Sequence, residues 1–408
     1  MPLWARLRAA VARRFYHHFF RLLLVAASAA QWAVAAWVLA LGFGWAPTWP
    51  VHLIGVAVLY ACNRFMTRSQ APRRRGVFRV YTATAFVALF CSAFLLASAL
   101  FFAVAHGVLG VLTAQALEGS RTTLAAGVDG AFRWVTSLGM AAIALTMGYG
   151  YAFGQRALRV TRMTLPLDGL PRPLRIAQIS DIHIGQNLTL EELRGFVARV
   201  NATAPDLICV TGDIIDSPRA DCATFLPVLA ELQAPLGVCA ILGNHDHSVG
   251  AERVVAELRK RTAFHILRDS ALTLKIGAGR LHVIGLDDRG RDWARGLQSD
   301  GRLADLLEAA PEGVPVLLLS HRPDIFRQAA AYNVPLTLSG HTHGGQLAVP
   351  WFGGVRRNLA EFVTAFDRGL YQSGSSWLYV NSGLGVTGQR IRLFTPREIS
   401  VFELDPIS

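Results

Sequence analysis

Aspartate, asparagine and histidine recur in the second half of the sequence as five short blocks. They are Asp181-Ile182-His183, Gly212-Asp213, Gly243-Asn244-His245-Asp246, His321 and Gly340-His341-Thr342-His343. Oxygen and imidazole donors without a thiolate suit Mn²⁺ best, with Fe or Zn²⁺ as alternatives, rather than a soft-metal site. In extended chain, residues i and i+2 project to the same side, so Asp181 and His183 can grip one ion. The same spacing lets His341 and His343 converge. The donors Asp181, His183, Asp213, Asn244, His321, His341 and His343 exceed the needs of one ion, and a carboxylate shared between two ions accounts for the surplus. Two ions about 3.5–4 Å apart form a clamp suited to in-line displacement at phosphorus, with a bridging water made nucleophilic by its lowered pKa. Gly212, Gly243 and Gly340 let the backbone turn sharply and leave room for a ligand. One such block alone reads as a turn or a packed histidine. Five in order read as a metal site.

The blocks are placed by what precedes them. Six apolar, β-rich runs lie at Leu174–Ser180, Leu207–Thr211, Val238–Leu242, Leu281–Leu286, Val316–Ser320 and Leu336–Ser339, alternating with helix-like segments. That is the pattern of a layered α/β domain. Five of the six runs end in a donor block, where such sheets gather their sites. Thr189-Leu-Glu-Glu192 is a capping box that predicts a helix with Leu193, Phe196 and Val200 on one face. Asp287, Asp288 and His247 read as solvated neighbours, and His265 and His282 as structural.

The series of blocks, complete and in order over roughly residues 173–405, resembles the calcineurin-like metallophosphoesterase superfamily. Gly344-Gly345-Gln346 after the last histidine, and the apolar segments in front, resemble its bacterial membrane-attached branch of YkuE- and YaeI-like phosphoesterases. The resemblance implies a β-sandwich flanked by helices and hydrolysis of a phosphoester or pyrophosphate bond. It implies one ion on Asp181, His183, Asp213 and His343, and a second on Asp213, Asn244, His321 and His341, with Asp213 bridging. His245, free of metal, would protonate the leaving oxygen or stabilise the charged transition state, and Asp216 would orient it. Asp246 is left a local structural role. Related membrane-associated members cleave the pyrophosphate of UDP-diacylglucosamine, which makes a lipid-linked phosphate a candidate substrate.

The first part of the chain is a different material. Residues 1–155 hold 13 arginines against Glu118 and Asp129, a net of +11, while the remainder is nearly balanced at +1. Leu22–Asn63, Val80–Leu117 and Trp134–Gln155 carry no charged residue, and the first run breaks near Pro47. A span needs about 20 apolar residues, so about four transmembrane helices are predicted. Arginines 6–21, 64–79 and 156–162 flank them on one side, which puts both termini in the cytoplasm of a multi-pass protein of the plasma (inner) membrane. The Arg73-Arg74-Arg75 cluster reads as part of that topology signal, and no nucleic-acid partner is expected. Residues 1–21 mix arginine with Leu3, Trp4, Phe15, Phe19 and Phe20, as a basic interfacial helix does.

The expected organisation is a helical membrane domain at 1–155, a linker at 156–172 and an α/β metallophosphoesterase domain at 173–408. An export signal at Arg13-Arg14 would need a shorter apolar run than this one. A transporter would need functional polar groups in the spans, where only His52 and His106 titrate. A catalytically silent scaffold should show eroded ligands, and none is eroded. The long segment 347–375 brings Trp351, Phe352, Phe362, Phe366 and Tyr371 together with Arg356, Arg357 and Arg368, either as a packed loop or as a flap over the substrate. Five scattered cysteines make no disulfide framework.

Overall fold

A computed structural model describes residues 3–45, 47–68, 75–113, 118–185, 187–288, 301–352 and 356–406. Most of the Arg73-Arg74-Arg75 cluster, and the side chains of residues 1–20, lie outside what is described. The chain forms two units, Met1–Gly148 and Tyr149–Ser408.

Among the described residues, the first unit is four helices: α1 (Leu3–Phe43), α2 (Trp49–Arg68), α3 (Arg75–Leu112) and α4 (Glu118–Ala152). Three segments, Arg21–Phe43, Gly76–Leu112 and Glu118–Arg156, are long and apolar enough to cross a membrane. The helix α2 begins just after Pro47, as expected, and its 20 residues make it the short member. The runs are less barren than charge alone suggested. Asn63, 5% exposed, donates to Ser28 Oγ at 2.8 Å and Gln31 Oε1 at 2.7 Å, and accepts from Tyr81 at 2.7 Å. Three helices are thereby joined by uncharged hydrogen bonds, the usual cement where no hydrophobic force drives apolar helices together. The two titratable histidines are paired as well, His52 with Trp32 at 2.9 Å and His106 with Asp129 at 2.9 Å.

The second unit is built from two six-stranded sheets. The first has the order β1-β14-β2-β3-β4-β5, from Leu158–Pro166, Arg397–Asp405, Leu174–Ile179, Leu207–Thr211, Val238–Ile241 and His265–Ile266. The second has the order β12-β13-β9-β8-β7-β6, from Gly369–Ser373, Ser376–Val380, Leu336–Ser339, Val316–Leu319, Gly279–Gly285 and Ser270–Ile276. A short hairpin pairs β10 (Ala348–Pro350) with β11 (Arg356–Asn358).

Period-two alternation explains the layering. Along β2, β3 and β4, Leu174, Ile176, Leu207, Cys209, Cys239 and Ile241 point inward to Leu281, Val283, Leu317 and Leu338 of the other sheet. Their alternates Ala177, Ile179, Ile208, Val210 and Ala240 point outward to α5 (Leu190–Asn201), α6 (Cys222–Leu229) and α8 (Ala251–Arg261). The opposite face of the second sheet is covered by α9 (Arg302–Glu308) and α10 (Phe326–Ala331). A one-turn helix, α7 (Asn244–Val249), follows β4. The result is the helix-flanked sandwich that was expected. The capping box is formed: Thr189 Oγ1 accepts from the Glu192 amide at 3.2 Å, and Glu192 answers to the Thr189 amide at 3.0 Å.

The expected linker is a finding of a different kind. Residues 158–166 are strand β1, paired in parallel with β14 over nine residues. Its alternating Arg, Thr and Met residues hide it, because a sheet-edge strand with one exposed face lacks the apolar run that marks a central one. The last residues of α4 also count with this unit, and the Gln155 carbonyl accepts from Arg397 Nε at 2.6 Å.

A fragment beginning at Tyr149 should therefore fold with a single cooperative transition. One beginning at Pro173 should melt several degrees lower or aggregate, because β14 becomes an open edge. Equal melting and solubility of the two fragments would show β1 to be dispensable.

Candidate active site

The central strands of each sheet run parallel, β2-β3-β4 in one and β7-β8-β9-β13 in the other, so their carboxyl ends share a side. The loops leaving β2, β3, β4, β8 and β9 carry the five donor blocks. Regular extended chain would put Asp181 and His183 on one face, and His341 and His343 on one face, but these segments are not extended. Instead Asp181, His183, Asp213, His341 and His343 all sit at positive φ, between 50° and 73°. A left-handed residue at a strand end turns its side chain out of the pleat, at a cost of about 1–3 kcal/mol when it is not glycine.

Three donor groups result among the described residues, one of them His183 with Asp216 and His245, and the other two hold the expected ligands. Asp181, His183 and His343 bring one donor atom each within 4.8 Å of one another, and so do Asp213, His321 and His341. His183 Nε2 lies 3.0 Å from His343 Nε2, and His341 Nδ1 lies 3.2 Å from His321 Nε2. Two imidazole nitrogens held at about 2.1 Å on one ion, at a right angle, would stand about 3 Å apart. One oxygen of Asp213 faces both clusters, 3.8 Å from His183 Nε2 and 3.3 Å from His321 Nε2. Asn244, at the same strand ends, has a buried Oδ1 with no hydrogen-bond partner among the described residues. A carbonyl oxygen left buried and bare costs about 1–3 kcal/mol unless something electropositive meets it. These donors fit divalent metal.

Electrostatics agree. Burial works against ionisation of Asp213, but the facing His321 and His183 outweigh it and hold the carboxyl well below the usual range. Burial likewise opposes a charge on His321, yet Asp213 and Asp181 push that imidazole up to about 10. The buried carboxylates thus call for positive charge. Burial keeps His341 and His343 neutral, well below their ordinary value, the form in which imidazole binds metal. Asp181 is raised, by burial first and then by the charge of Asp213. The Thr211 carbonyl fixes His321 through Nδ1 at 2.8 Å, leaving Nε2 free toward the site.

His245 stands beside both clusters, its ring 4.8 Å from that of His183. Asp216 Oδ1 meets its Nδ1 at 2.7 Å, while the His245 amide donates to Asp213 at 2.8 Å. The bond to Asp216 raises His245, against the effect of burial. Asp216 itself drops to about 2, because the imidazoles of His183 and His245 overcome its burial. Asp246 points elsewhere. Fully buried, it accepts from the amides of Ile214, Ile215 and Gly243 at 2.8–3.1 Å and so pins the β3 and β4 loops together.

The glycines serve the donors more than a ligand. A Cβ on Gly340 would collide with Ser180 Oγ and Asp181 Oδ2, and one on Gly243 would collide with Asp213 Oδ1. Asp287 and Asp288 are not solvated, at 4% and 3% exposure. Asp287 is paired with His247 at 2.8 Å and Arg268 at 3.0 Å, and Asp288 with Arg322 at 2.7 Å. His282 is buried against Thr273, while His265 is exposed. The segment 347–375 divides: Phe366 and Tyr371 pack together at 5.1 Å, whereas Trp351, Phe352 and Phe362 are exposed.

Sequence reasoning missed one wall. The loop Asn381–Gly385 follows β13, and its Leu384 and Gly385 amides donate to the Ser180 and Asp181 carbonyls. Arg392, fully buried, ties this loop by hydrogen bonds to Ser382, Gly383 and Gly385 and brings Nη2 to 3.4 Å from His343 Nδ1. Asn-Ser-Gly after the apolar Trp377–Val380 run repeats the signature of the other blocks. It was overlooked for want of a histidine or carboxylate.

Residues 174–345 match the calcineurin-like phosphoesterase family. A Bacillus subtilis protein described as the uncharacterized metallophosphoesterase YkuE is 35% identical over 277 residues, covering 65% of this chain and 93% of that one. This chain belongs to the calcineurin-like metallophosphoesterases. A Danio rerio transmembrane protein with a metallophosphoesterase domain is 30% identical, covering 74% of this chain and 69% of its own. The UDP-2,3-diacylglucosamine pyrophosphatase LpxG of Chlamydia muridarum is 28% identical, covering 56% and 82% respectively. As a member of this family the chain is a hydrolase of phosphoric ester bonds that uses divalent metal. Its apolar helices make it a membrane protein.

Gly340→Ala should displace Asp181 and lower both metal content and turnover at least tenfold. Gly195→Ala, on an open face of α5 where a Cβ meets nothing within 4 Å, should be silent or stabilising by up to about 1 kcal/mol. Metal analysis and thermal melting of both variants would check this. Full metal occupancy in Gly340→Ala would contradict the crowding argument.

Proposed function

We propose that the protein is a membrane-anchored phosphoesterase that hydrolyses a phosphodiester, phosphomonoester or pyrophosphate bond at a two-metal centre on the cytoplasmic face. A lipid-linked phosphate, of which a nucleotide-lipid pyrophosphate is one example, is the substrate class we favour. The observation that carries the two-metal reading is the position of Asp213, whose one oxygen faces a histidine from each donor cluster. Asp181, His183 and His343 would hold one ion, and Asn244, His321 and His341 the other, with Asp213 between. The bare Asn244 Oδ1 supports its place in this set. Bound there, divalent ions supply Lewis acidity that activates water and neutralises phosphoryl charge, and Mn²⁺ suits these donors best.

The chain's own residues do the rest. Asp216 engages Nδ1 of His245 and so fixes its tautomer and aim. Nε2 is then the atom that delivers a proton to the leaving oxygen, or donates to the phosphoryl group as charge grows there. Asp246 keeps the His245 turn against the Asp213 loop through three amide bonds. For the lipid-linked class, the support is the membrane segments of this chain and the lipid-linked substrate named for the Chlamydia relative. The arginines flanking the helices support the cytoplasmic orientation.

In detergent with Mn²⁺, the full-length protein should hydrolyse bis-p-nitrophenyl phosphate and prefer one nucleotide-linked lipid from a membrane-lipid panel. Asp213→Asn should lose metal and nearly all turnover. His245→Ala should retain both metals while kcat falls by about 10²–10⁴. Unchanged kcat in His245→Ala would overturn its role, and turnover of the small diester alone would overturn the lipid-linked class.

A further inference from the structure

A second concavity opens in the phosphoesterase unit, on the far side of the turn after His343, where Ser382, Thr395 and Arg368 lie against Gly344. Its volume is about 1000 Å³, and no candidate metal ligand lines it. One wall is β1, which presents Arg159, Thr161 and Met163 at alternate positions; another is the segment 356–370, with Arg356, Arg357 and Arg368.

The charge inside is unbalanced in a particular way. Three carboxylates line the pocket, and each is already occupied by the protein. Glu398 accepts from Thr161, Tyr379 and the Ser382 amide. Asp367 accepts from Asn358 at 2.6 Å and Tyr371 at 2.7 Å, and Glu361 pairs with Arg357 at 2.8 Å. The Arg356 guanidinium, by contrast, meets only a neutral carbonyl among the described residues, that of Phe394 at 2.6 Å. Among the described residues no hydrogen bond or ion pair holds Arg159, which is exposed. The four lining arginines exceed the three carboxylates by one, Arg159 and Arg356 are in no ion pair among the described residues, and planar guanidinium is the side chain best matched to phosphate.

The rim has the opposite character. Phe362 is 88% exposed, Val363 54% and Leu370 42%, beside the lining residues Glu361 and Thr364. A cationic cavity edged by exposed apolar side chains fits an amphiphile with an anionic head. Chain connectivity says where such a molecule is at hand. Arg159 stands three residues beyond Arg156, where the last apolar membrane segment ends, and three residues of extended chain reach at most about 11 Å. A headgroup at the end of that segment would be within reach of such a residue.

We propose that this pocket binds the phosphate-bearing headgroup of an anionic phospholipid, with Arg159 and Arg356 on the phosphate and the Phe362–Val363 rim against the acyl region. The proposal rests on the chain being a membrane protein and is independent of what the metal centre hydrolyses. The full-length protein in neutral detergent, with EDTA present to keep the metal centre out of play, is titrated with short-chain phosphatidylglycerol, short-chain phosphatidylcholine and glycerol 3-phosphate, and binding is read by native mass spectrometry. Phosphatidylglycerol should bind at least tenfold more tightly than either of the others. Arg159→Gln, which breaks no internal bond, should weaken it about tenfold, and Arg159→Gln/Arg356→Gln further, while Arg159→Lys restores part of the loss. The control Arg194→Gln/Arg199→Gln removes the same charge from an open face of α5 and should change nothing. Equal binding of phosphatidylcholine, matching affinity for glycerol 3-phosphate, or unaltered binding by the double pocket variant would each overturn the proposal. Hydrolysis of bis-p-nitrophenyl phosphate with Mn²⁺, followed separately, tests the catalytic reading and should stay within twofold in Arg159→Gln.

Discussion

Two carboxylates, Asp181 and Asp213, lie at 0% and 2% exposure at the ends of apolar strands, within reach of four imidazoles. Buried charge of one sign is tolerated only where opposite charge meets it. Much of the local architecture answers that demand. Parallel strands bring their carboxyl ends to one side, and left-handed residues turn the donors out of the pleat. The glycines at 243 and 340 keep every Cβ out of the space the carboxylates need. Each of these features would be a liability in a sheet with nothing to hold.

The support around the donors is itself layered. Asp216 acts through His245, the Thr211 carbonyl acts through His321, and Asp246 acts only on backbone. Arg392 sits behind His343 and spends its donors on loop carbonyls. Thr211, Arg392 and Asp216 each touch a donor as well, at His321, His343 and His183, so the protein's own groups hold the imidazoles in place. Preorganisation of that kind lets fixed dipoles and charges stabilise a transition state without having to rearrange.

Much of this was legible in the sequence because strands and donor blocks advertise themselves. All six apolar runs became strands within a residue or two of their expected ends, and the Thr189–Glu192 box opened its helix. What escaped notice had a physical reason to be quiet. Strand β1 has one exposed face, so its alternation of Arg and Thr with Val and Met reads as a polar connection. Arg392 and the 381–385 loop act through backbone carbonyls and amides, which any residue possesses. Asp287 and Asp288 looked like surface acids because a salt-bridge partner distant in sequence, such as Arg268 or Arg322, leaves no local mark. The cluster around Asn63 is quiet as well, because Ser28, Gln31 and Tyr81 carry no charge and lie far from it in sequence.

The order of strands in the first sheet carries a consequence for biosynthesis. Strand β14, residues 397–405, lies between β1 and β2, and pairs with both. Until those residues leave the ribosome, two strands made more than two hundred residues earlier face each other across a gap. The helices of the first unit are translated and available to the membrane long before that gap can close. Vectorial synthesis therefore separates the two events in time: the chain is anchored first, and the sheet that supports Asp181 and Asp213 is completed last.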